Sequence, residues 1–125
     1  MISKSAVARA FCGLALSLAL GACGSPPPAP ASAVSLNVTA SDSFKYDPAV
    51  LTAKVGQTVT VNLQNKGNLD HSFVIDELGV KLETVKAGTT QPVTFTPGTA
   101  GTYTYYCDVP GHKAAGMTGT LTVTP

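Results

Sequence analysis

Apolar and polar residues alternate over much of the chain after residue 33. In 34–39 and again in 58–63 every second residue is apolar, which is the period of a strand that buries one face. β-Branched residues dominate, turn residues recur at short intervals, and no stretch favours a long helix. The pattern therefore predicts an all-β protein, an antiparallel β-sandwich. Further strands are predicted at 51–55, 72–75, 92–96, 102–107 and 119–124.

Two segments between these strands carry weaker signals. Residues 44–48, Phe-Lys-Tyr-Asp-Pro, are predicted to turn the chain. Residues 77–90 fit either a weak strand or a surface excursion. We expect residues 34–125 as a whole to form one folded domain.

The first 22 residues have the build of a secretory signal. A basic start containing Lys4 and Arg9 precedes an apolar run, 10–22, that is too short to span a membrane. The run ends Leu-Gly-Ala before Cys23, as in bacterial lipoprotein signals, where the cysteine becomes the lipidated first residue of the mature protein. The alternative is an ordinary signal that is cleaved nearby. We therefore expect a signal peptide at 1–22 and a lipid anchor on Cys23.

A proline-rich stretch follows the expected cleavage site. Residues 23–33 contain four prolines, which favour an extended and solvated chain. Ten residues in that conformation reach roughly 30 Å, at about 3.1 Å per residue. We interpret 23–33 as a tether that holds the domain clear of a membrane surface.

Charge and cysteine usage narrow the classes of function. After removal of 1–22, six of the 8 basic residues remain against 7 acidic ones, without a basic cluster, which argues against nucleic acid as a partner. Cys12 lies in the signal and Cys23 is assigned to the lipid, so Cys107 is the one free thiol of an exported domain. A lone cysteine outside the cytoplasm needs protection from oxidation, and metal ligation provides it.

Four residues form the candidate metal site. Cys107, His112 and Met117 follow one another with the spacing Cys-x4-His-x4-Met, and His71 is the only other histidine of the chain. Each residue alone has an ordinary structural explanation, such as core packing or an exposed loop. Together they offer a thiolate, two imidazoles and a thioether, the donor set of a type 1 copper site for electron transfer.

The same segments resemble the cupredoxins. Residues 107–112, Cys-x-x-Pro-Gly-His, are similar to azurin, the gap from His112 to Met117 is similar to plastocyanin, and the loop as a whole resembles auracyanin. Residues 68–75 are similar to the first-histidine motif of the family. The resemblance covers 34–125 and implies an eight-stranded Greek-key sandwich with one Cu(I)/Cu(II) ion at one end.

One residue departs from the family pattern. Many members carry asparagine after the first histidine, where it ties the two ligand-bearing loops together, whereas this chain has Ser72. By analogy, the backbone N–H groups of Ser72 and Val109 are expected to point at the thiolate, which would raise the reduction potential. The resemblance to azurin also suggests that the carbonyl of Asp70 approaches the metal.

Small apolar residues surround His112 in the sequence. If they are exposed together, they form a rim with little charge that suits weak and rapid docking of redox partners. This candidate docking rim consists of Val109, Pro110, Gly111, Ala114 and Ala115.

These features favour a lipid-anchored, extracytoplasmic and monomeric electron carrier over an enzyme, a copper carrier, a zinc protein and a metal-free domain. Blue-copper enzymes need a second copper centre with further histidines, and both histidines are already used, so we expect no enzyme activity. A copper carrier would gain from clusters of methionine, but Met117 is the only methionine after Met1. Zinc suits the same cysteine and histidines, and a metal-free adhesion domain is the remaining alternative. The expected partners are a membrane-bound quinol-oxidising complex or cytochrome and a terminal oxidase or reductase.

Overall fold

The computed structural model describes residues 21, 23–25 and 32–125. Cys23 is exposed, but most of the predicted signal peptide and tether lies outside the described residues. Among the described residues, no helix combines the length and the apolar character needed to cross a bilayer.

The domain is built from two β-sheets, which confirms the predicted all-β sandwich. One sheet has four strands in the order β2-β1-β4-β7, and the other has five in the order β3-β9-β8-β5-β6. A short 3-10 helix, Asp76–Leu78, connects β5 to β6. The strands are β1 Ala33–Ser41, β2 Lys45–Asp47, β3 Val50–Lys54, β4 Thr58–Asn65, β5 His71–Ile75, β6 Val80–Val85, β7 Thr90–Phe95, β8 Gly101–Tyr106 and β9 Thr118–Thr124.

Alternation along the strands places the core between the sheets. In β4, Val59, Val61 and Leu63 are fully buried, while Thr60 and Asn62 between them lie nearer the surface. β5 is the exception, because all five of its residues are buried. Side chains from both sheets complete the core, including Val38, Phe73, Ile75, Val85, Tyr105 and Leu121.

The strand count and directions differ in detail from the sequence-based expectation. The segment 44–48 contains β2, which pairs with β1 and buries Tyr46, and 77–90 contains β6, so the described residues form nine strands rather than eight. Two strand pairs, β1 with β4 and β3 with β9, are parallel. The prediction of a turn at 44–48 was wrong for its middle part, because a three-residue strand between turn signals is too short to show alternation.

The pairing of β5 with β8 determines where the candidate ligands meet. The two strands are antiparallel, with Val74 opposite Tyr106. The start of one antiparallel strand lies beside the end of its partner. His71, the first residue of β5, and Cys107, which directly follows β8, therefore lie at the same end of the sandwich.

A close contact between Tyr105 and Gly119 joins the two strands that flank the ligand loop. The residues are directly opposite in the β8–β9 ladder. The Tyr105 ring covers Gly119, and a side chain at 119 would overlap the ring. Tyr105 is fully buried, stacks on Phe73 at 4.7 Å between ring centroids, and donates a hydrogen bond to the carbonyl of Pro48.

Gly119→Ala should therefore destabilise the fold. The added methyl group would push Tyr105 out of its packed position, and such overpacking costs about 1–3 kcal/mol. Chemical denaturation monitored by circular dichroism measures the loss. Gly98→Ala is the matched control, because a Cβ there meets no atom within 4 Å. Equal stability of both variants would contradict the role of the Tyr105–Gly119 contact.

Candidate metal centre

The structure gathers His71, Cys107 and His112 into one buried cluster. One ligand atom from each lies within 4.8 Å of the others. The Cys107 Sγ is 3.5 Å from the His112 Nδ1, and the two imidazole centroids are 5.1 Å apart. Cys107 and His71 are fully buried, whereas His112 retains 8% exposure. Two nitrogens and one sulfur thus converge at one end of the sandwich.

The His71 ring is held with one nitrogen free for a ligand. Its Nε2 lies 3.3 Å from Oδ1 of Asp42, and its Nδ1 is buried without a hydrogen-bond partner. Burial lowers the pKa of His71, in spite of the opposing effect of Asp42, so the ring is neutral at neutral pH. A neutral imidazole that donates Nε2–H to a carboxylate presents the lone pair of Nδ1 to the site. A metal ion held there would satisfy that otherwise unpaired atom.

Backbone hydrogen bonds close the loop that carries the other ligands. The Cys107 N–H donates to the Met117 carbonyl at 3.2 Å, and the Met117 N–H donates to the His112 carbonyl at 3.0 Å. Gly111 and Gly116 have φ values of 85° and 102°, which glycine adopts with least strain. Met117 follows His112 in the same loop and is fully buried. Its role as axial thioether ligand stays a prediction.

Ser72 bridges the two ligand-bearing segments. Its backbone N–H lies 3.4 Å from the Cys107 Sγ, as expected. Its hydroxyl donates to the Asp108 carboxylate at 2.6 Å and accepts the Asp108 backbone N–H at 2.8 Å. A hydroxyl has a single proton, so the 3.6 Å contact of the same oxygen with Sγ is the weaker one. Serine thus provides the tie that asparagine supplies in many family members.

The second expected backbone donor is not seen. Among the described residues, the hydrogen bonds to the Cys107 sulfur from backbone N–H groups come from Ser72, and none comes from Val109. The Val109 carbonyl instead accepts the His112 N–H at 3.0 Å. Asp70 directs its carboxylate outward to Lys86 at 2.7 Å, and the approach of its carbonyl to a metal stays a prediction.

Further polar contacts hold Ser72 and Asp108, the two residues of the bridge, in place. The Tyr46 hydroxyl donates to the Ser72 carbonyl at 2.6 Å, and burial raises the pKa of Tyr46. Asp108 also contacts Lys81 at 3.3 Å. The hydrogen bond from Ser72, followed by Lys81, lowers the pKa of Asp108, so its carboxylate stays charged and available as an acceptor.

The candidate docking rim is exposed in the structure. Pro110, Gly111, Ala114 and Ala115 are exposed and Val109 is half-buried. The neighbouring charges are engaged elsewhere, since Asp108 binds Ser72 and Lys81, and Lys113 places its ammonium 3.6 Å from the centroid of the Tyr106 ring. The predicted residues therefore form a surface of low charge beside His112.

Two residues at the site were missed from sequence. Asp42 contacts His71, and Phe44 packs edge-on against His112 with centroids 4.9 Å apart. Both lie in the short turn between β1 and β2, where polar and aromatic residues carry no recognisable motif. Nothing in the local sequence signals a contact with either histidine, because only the tertiary fold brings this turn to them.

The donor set fits a type 1 copper ion. His71, Cys107 and His112 would hold it, with Met117 as the predicted fourth ligand. When bound, the copper supplies reversible one-electron chemistry at a thiolate-ligated centre. The buried Nδ1 of His71, which has no hydrogen-bond partner, is the feature of this chain that most directly indicates a bound metal ion.

The sequence matches the family described as cupredoxin-like domain over residues 13–123. A copper-resistant cuproprotein, CopI, of Rubrivivax gelatinosus is 28% identical over 122 residues, covering 80% of this chain and 72% of that protein. A plastocyanin of Scenedesmus fuscus is 35% identical over 92 residues, covering 66% of this chain and 90% of the plastocyanin.

Solved structures show the same likeness. The dithionite-reduced auracyanin of the photosynthetic bacterium Roseiflexus castenholzii superimposes with a TM-score of 0.68 at 25% identity, covering 75% of this chain and 99% of the auracyanin. Auracyanin B superimposes with a TM-score of 0.64 at 28% identity, covering 80% of this chain and 94% of that structure.

Ser72→Ala should destabilise the protein while keeping its site coloured. The variant retains the backbone N–H that faces sulfur, but the Asp108 N–H loses its acceptor. An unsatisfied group of this kind costs about 1–3 kcal/mol. Denaturant unfolding measures the loss, and Ser35→Ala, an exposed serine on β1, serves as the control. If both variants unfold at the same denaturant concentration, the bridge between the loops contributes nothing.

Proposed function

The chain belongs to the cupredoxin family and takes one copper ion as its cofactor, and from this premise we propose that it is an electron carrier outside the cytoplasm. The protein accepts one electron from a reduced donor and passes it to an oxidised acceptor, so no bond forms or breaks. It acts without a substrate of its own and is not an enzyme.

The observation that carries this proposal is a ligand cluster shaped by the protein itself. Asp42 fixes His71, Ser72 contacts the Cys107 sulfur, and backbone hydrogen bonds fix the loop of His112. All of these contacts are made between protein groups, so the protein itself fixes the positions of the ligands. Ligands that keep one arrangement in both oxidation states need little reorganisation when an electron moves.

Docking at the rim beside His112 supports rapid exchange with partners. His112 is the candidate ligand with residual exposure, and the exposed residues of the rim are small and uncharged, while the neighbouring Lys113 ammonium lies over the Tyr106 ring. Weak electron-transfer encounters use small interfaces. We infer that a donor and an acceptor dock here in turn, and that the carrier itself is a monomer.

The membrane context is also part of the proposal. Cys23 is exposed and precedes the proline-rich stretch, which suits a lipid anchor followed by a tether. Such an anchor would keep the domain near membrane-bound redox complexes. The proposed partners are a quinol-oxidising complex or cytochrome as donor and a terminal oxidase or reductase as acceptor.

Copper carriage is the second candidate, favoured by the similarity to CopI. A carrier must release its ion to another protein, which exposed and exchangeable ligands facilitate. Here Cys107 and His71 have no exposed surface, and Met117 is fully buried as well. Burial of the ligands favours retention, and therefore electron transfer.

Loading the purified protein with a cupric salt tests the proposed function. We expect an intense visible absorption band, narrow copper hyperfine splitting in EPR and a reversible one-electron potential. Cys107→Ser should abolish the band, because the copper–thiolate bond produces it. Colourless wild-type protein would contradict electron transfer, and rapid loss of copper to a chelator at neutral pH would favour carriage.

Ala115→Glu should slow electron exchange without changing the visible spectrum. The new carboxylate would bring charge and bulk onto the rim, where partners approach. The electron self-exchange rate between Cu(I) and Cu(II) protein, measured by NMR line broadening, reports the effect. Ala100→Glu adds the same charge at an exposed position before β8, at the other end of that strand from Cys107. Equal rates in the two variants would place docking elsewhere.

A further inference from the structure

The turn between β1 and β2 touches both histidines of the metal centre. It runs from Ser41 to Phe44 and is closed by a hydrogen bond from the Phe44 N–H to the Ser41 carbonyl at 3.0 Å. Asp42 reaches His71 from this turn, and Phe44 reaches His112. Neither the ligand loop nor β5 contains these residues, so the turn is a third segment at the site.

Asp42 is held in place by more than its contact with His71. Its Oδ2 accepts the backbone N–H of Asn68 at 2.7 Å, and its Oδ1 accepts that of Leu69 at 3.1 Å. These backbone hydrogen bonds are the main reason that the pKa of Asp42 lies below its usual value. The carboxylate also lies so close to Gly67 that a side chain at 67 would overlap it.

Phe44 shows that this turn is under conformational constraint. Its φ is 57°, the left-handed region that costs a residue with a side chain roughly 1–2 kcal/mol. Such conformations persist only where the surroundings enforce them, and they concentrate at functional sites. The surroundings here are the His112 ring, against which Phe44 packs at an interplanar angle of 63°.

We propose that Asp42 is a positioning residue for the copper ligand His71, and that it sets the tautomer and the donor strength of that imidazole. The inference rests on the proposed role of His71 as a ligand and adds a residue outside the ligand set. Oδ1 accepts Nε2–H, which keeps Nδ1 deprotonated and aims it into the cluster. A carboxylate partner also increases the basicity of the ring.

Loss of the carboxylate should weaken the site in a defined direction. Removal of such a partner typically lowers metal affinity about 10–100-fold. A more basic imidazole favours Cu(II) over Cu(I), because the dication gains more from electron donation. If Asp42→Asn weakens Cu(II) binding tenfold more than Cu(I) binding, the midpoint potential rises by about 59 mV.

Three variants separate charge from position. Asp42→Asn removes the charge and keeps the shape. Gly67→Ala keeps the charge but displaces the carboxylate, and Gly67 has no positive φ that would strain alanine. Glu77→Gln, at an exposed position in the 3-10 helix, is the control for net charge. Long-range ¹H–¹⁵N NMR of the metal-free protein reads the His71 tautomer directly, and redox titration of the copper-loaded protein reads the potential.

The expected result is a slowly exchanging His71 Nε2–H in the wild type and in Glu77→Gln that exchanges faster in Asp42→Asn, whose amide oxygen is a weaker acceptor, and in Gly67→Ala, whose methyl group displaces the carboxylate. The potential should rise in the same two variants and stay unchanged in the control. Unaltered Nε2–H exchange together with an unaltered potential in Asp42→Asn would overturn the proposal, as would an equal shift in Glu77→Gln. The NMR result needs no copper, so a colourless copper-treated protein with the expected tautomer would refute electron transfer but not the role of Asp42 in orienting His71.

Discussion

The antiparallel pairing of β5 with β8 is the constraint on which the metal centre depends. It places His71, at the start of one strand, beside Cys107, just after the end of the other. Two residues far apart in sequence are thereby fixed by a ladder of backbone hydrogen bonds. Ser72 adds a side-chain bond to Asp108 across the same junction. His112 and Met117 lie in the loop between β8 and β9, which needs only a modest length to bring them to the site.

Polar groups around the cluster are satisfied by the protein, with one exception. Hydrogen bonds link Tyr46 to Ser72 and Ser72 to Asp108 next to the Cys107 sulfur. Asp42 is the hydrogen-bond partner of the Nε2 atom of His71. Among the buried side-chain nitrogen and oxygen atoms of the described residues, only Nδ1 of His71 lacks a hydrogen-bond partner. Buried polar atoms are costly when unpaired, so the fold carries a local cost that a bound metal ion would offset. Scaffold and cofactor are matched in this sense.

Much of this site could be predicted from sequence, because its ligands have distinctive chemistry and spacing. Cys107 and His112 follow one another in a short loop, and His71 was the only other histidine available. Asp42 and Phe44 could not be predicted, since aspartate and phenylalanine in a turn have many ordinary roles and only the tertiary fold brings them to the histidines. The same limit applied to the fold. Alternation of apolar and polar residues revealed the long strands but not the short β2. It also did not reveal the parallel pairs, because these depend on contacts between distant segments.

The position of β9 has a consequence for how the protein matures. This strand lies between β3 and β8 in its sheet and follows all four candidate ligands in the chain. The ribosome therefore makes every ligand before it makes the strand that completes their support. The Cys107 N–H donates to the carbonyl of Met117, the residue just before β9, so the contact that closes the loop around the sulfur forms where this last strand begins.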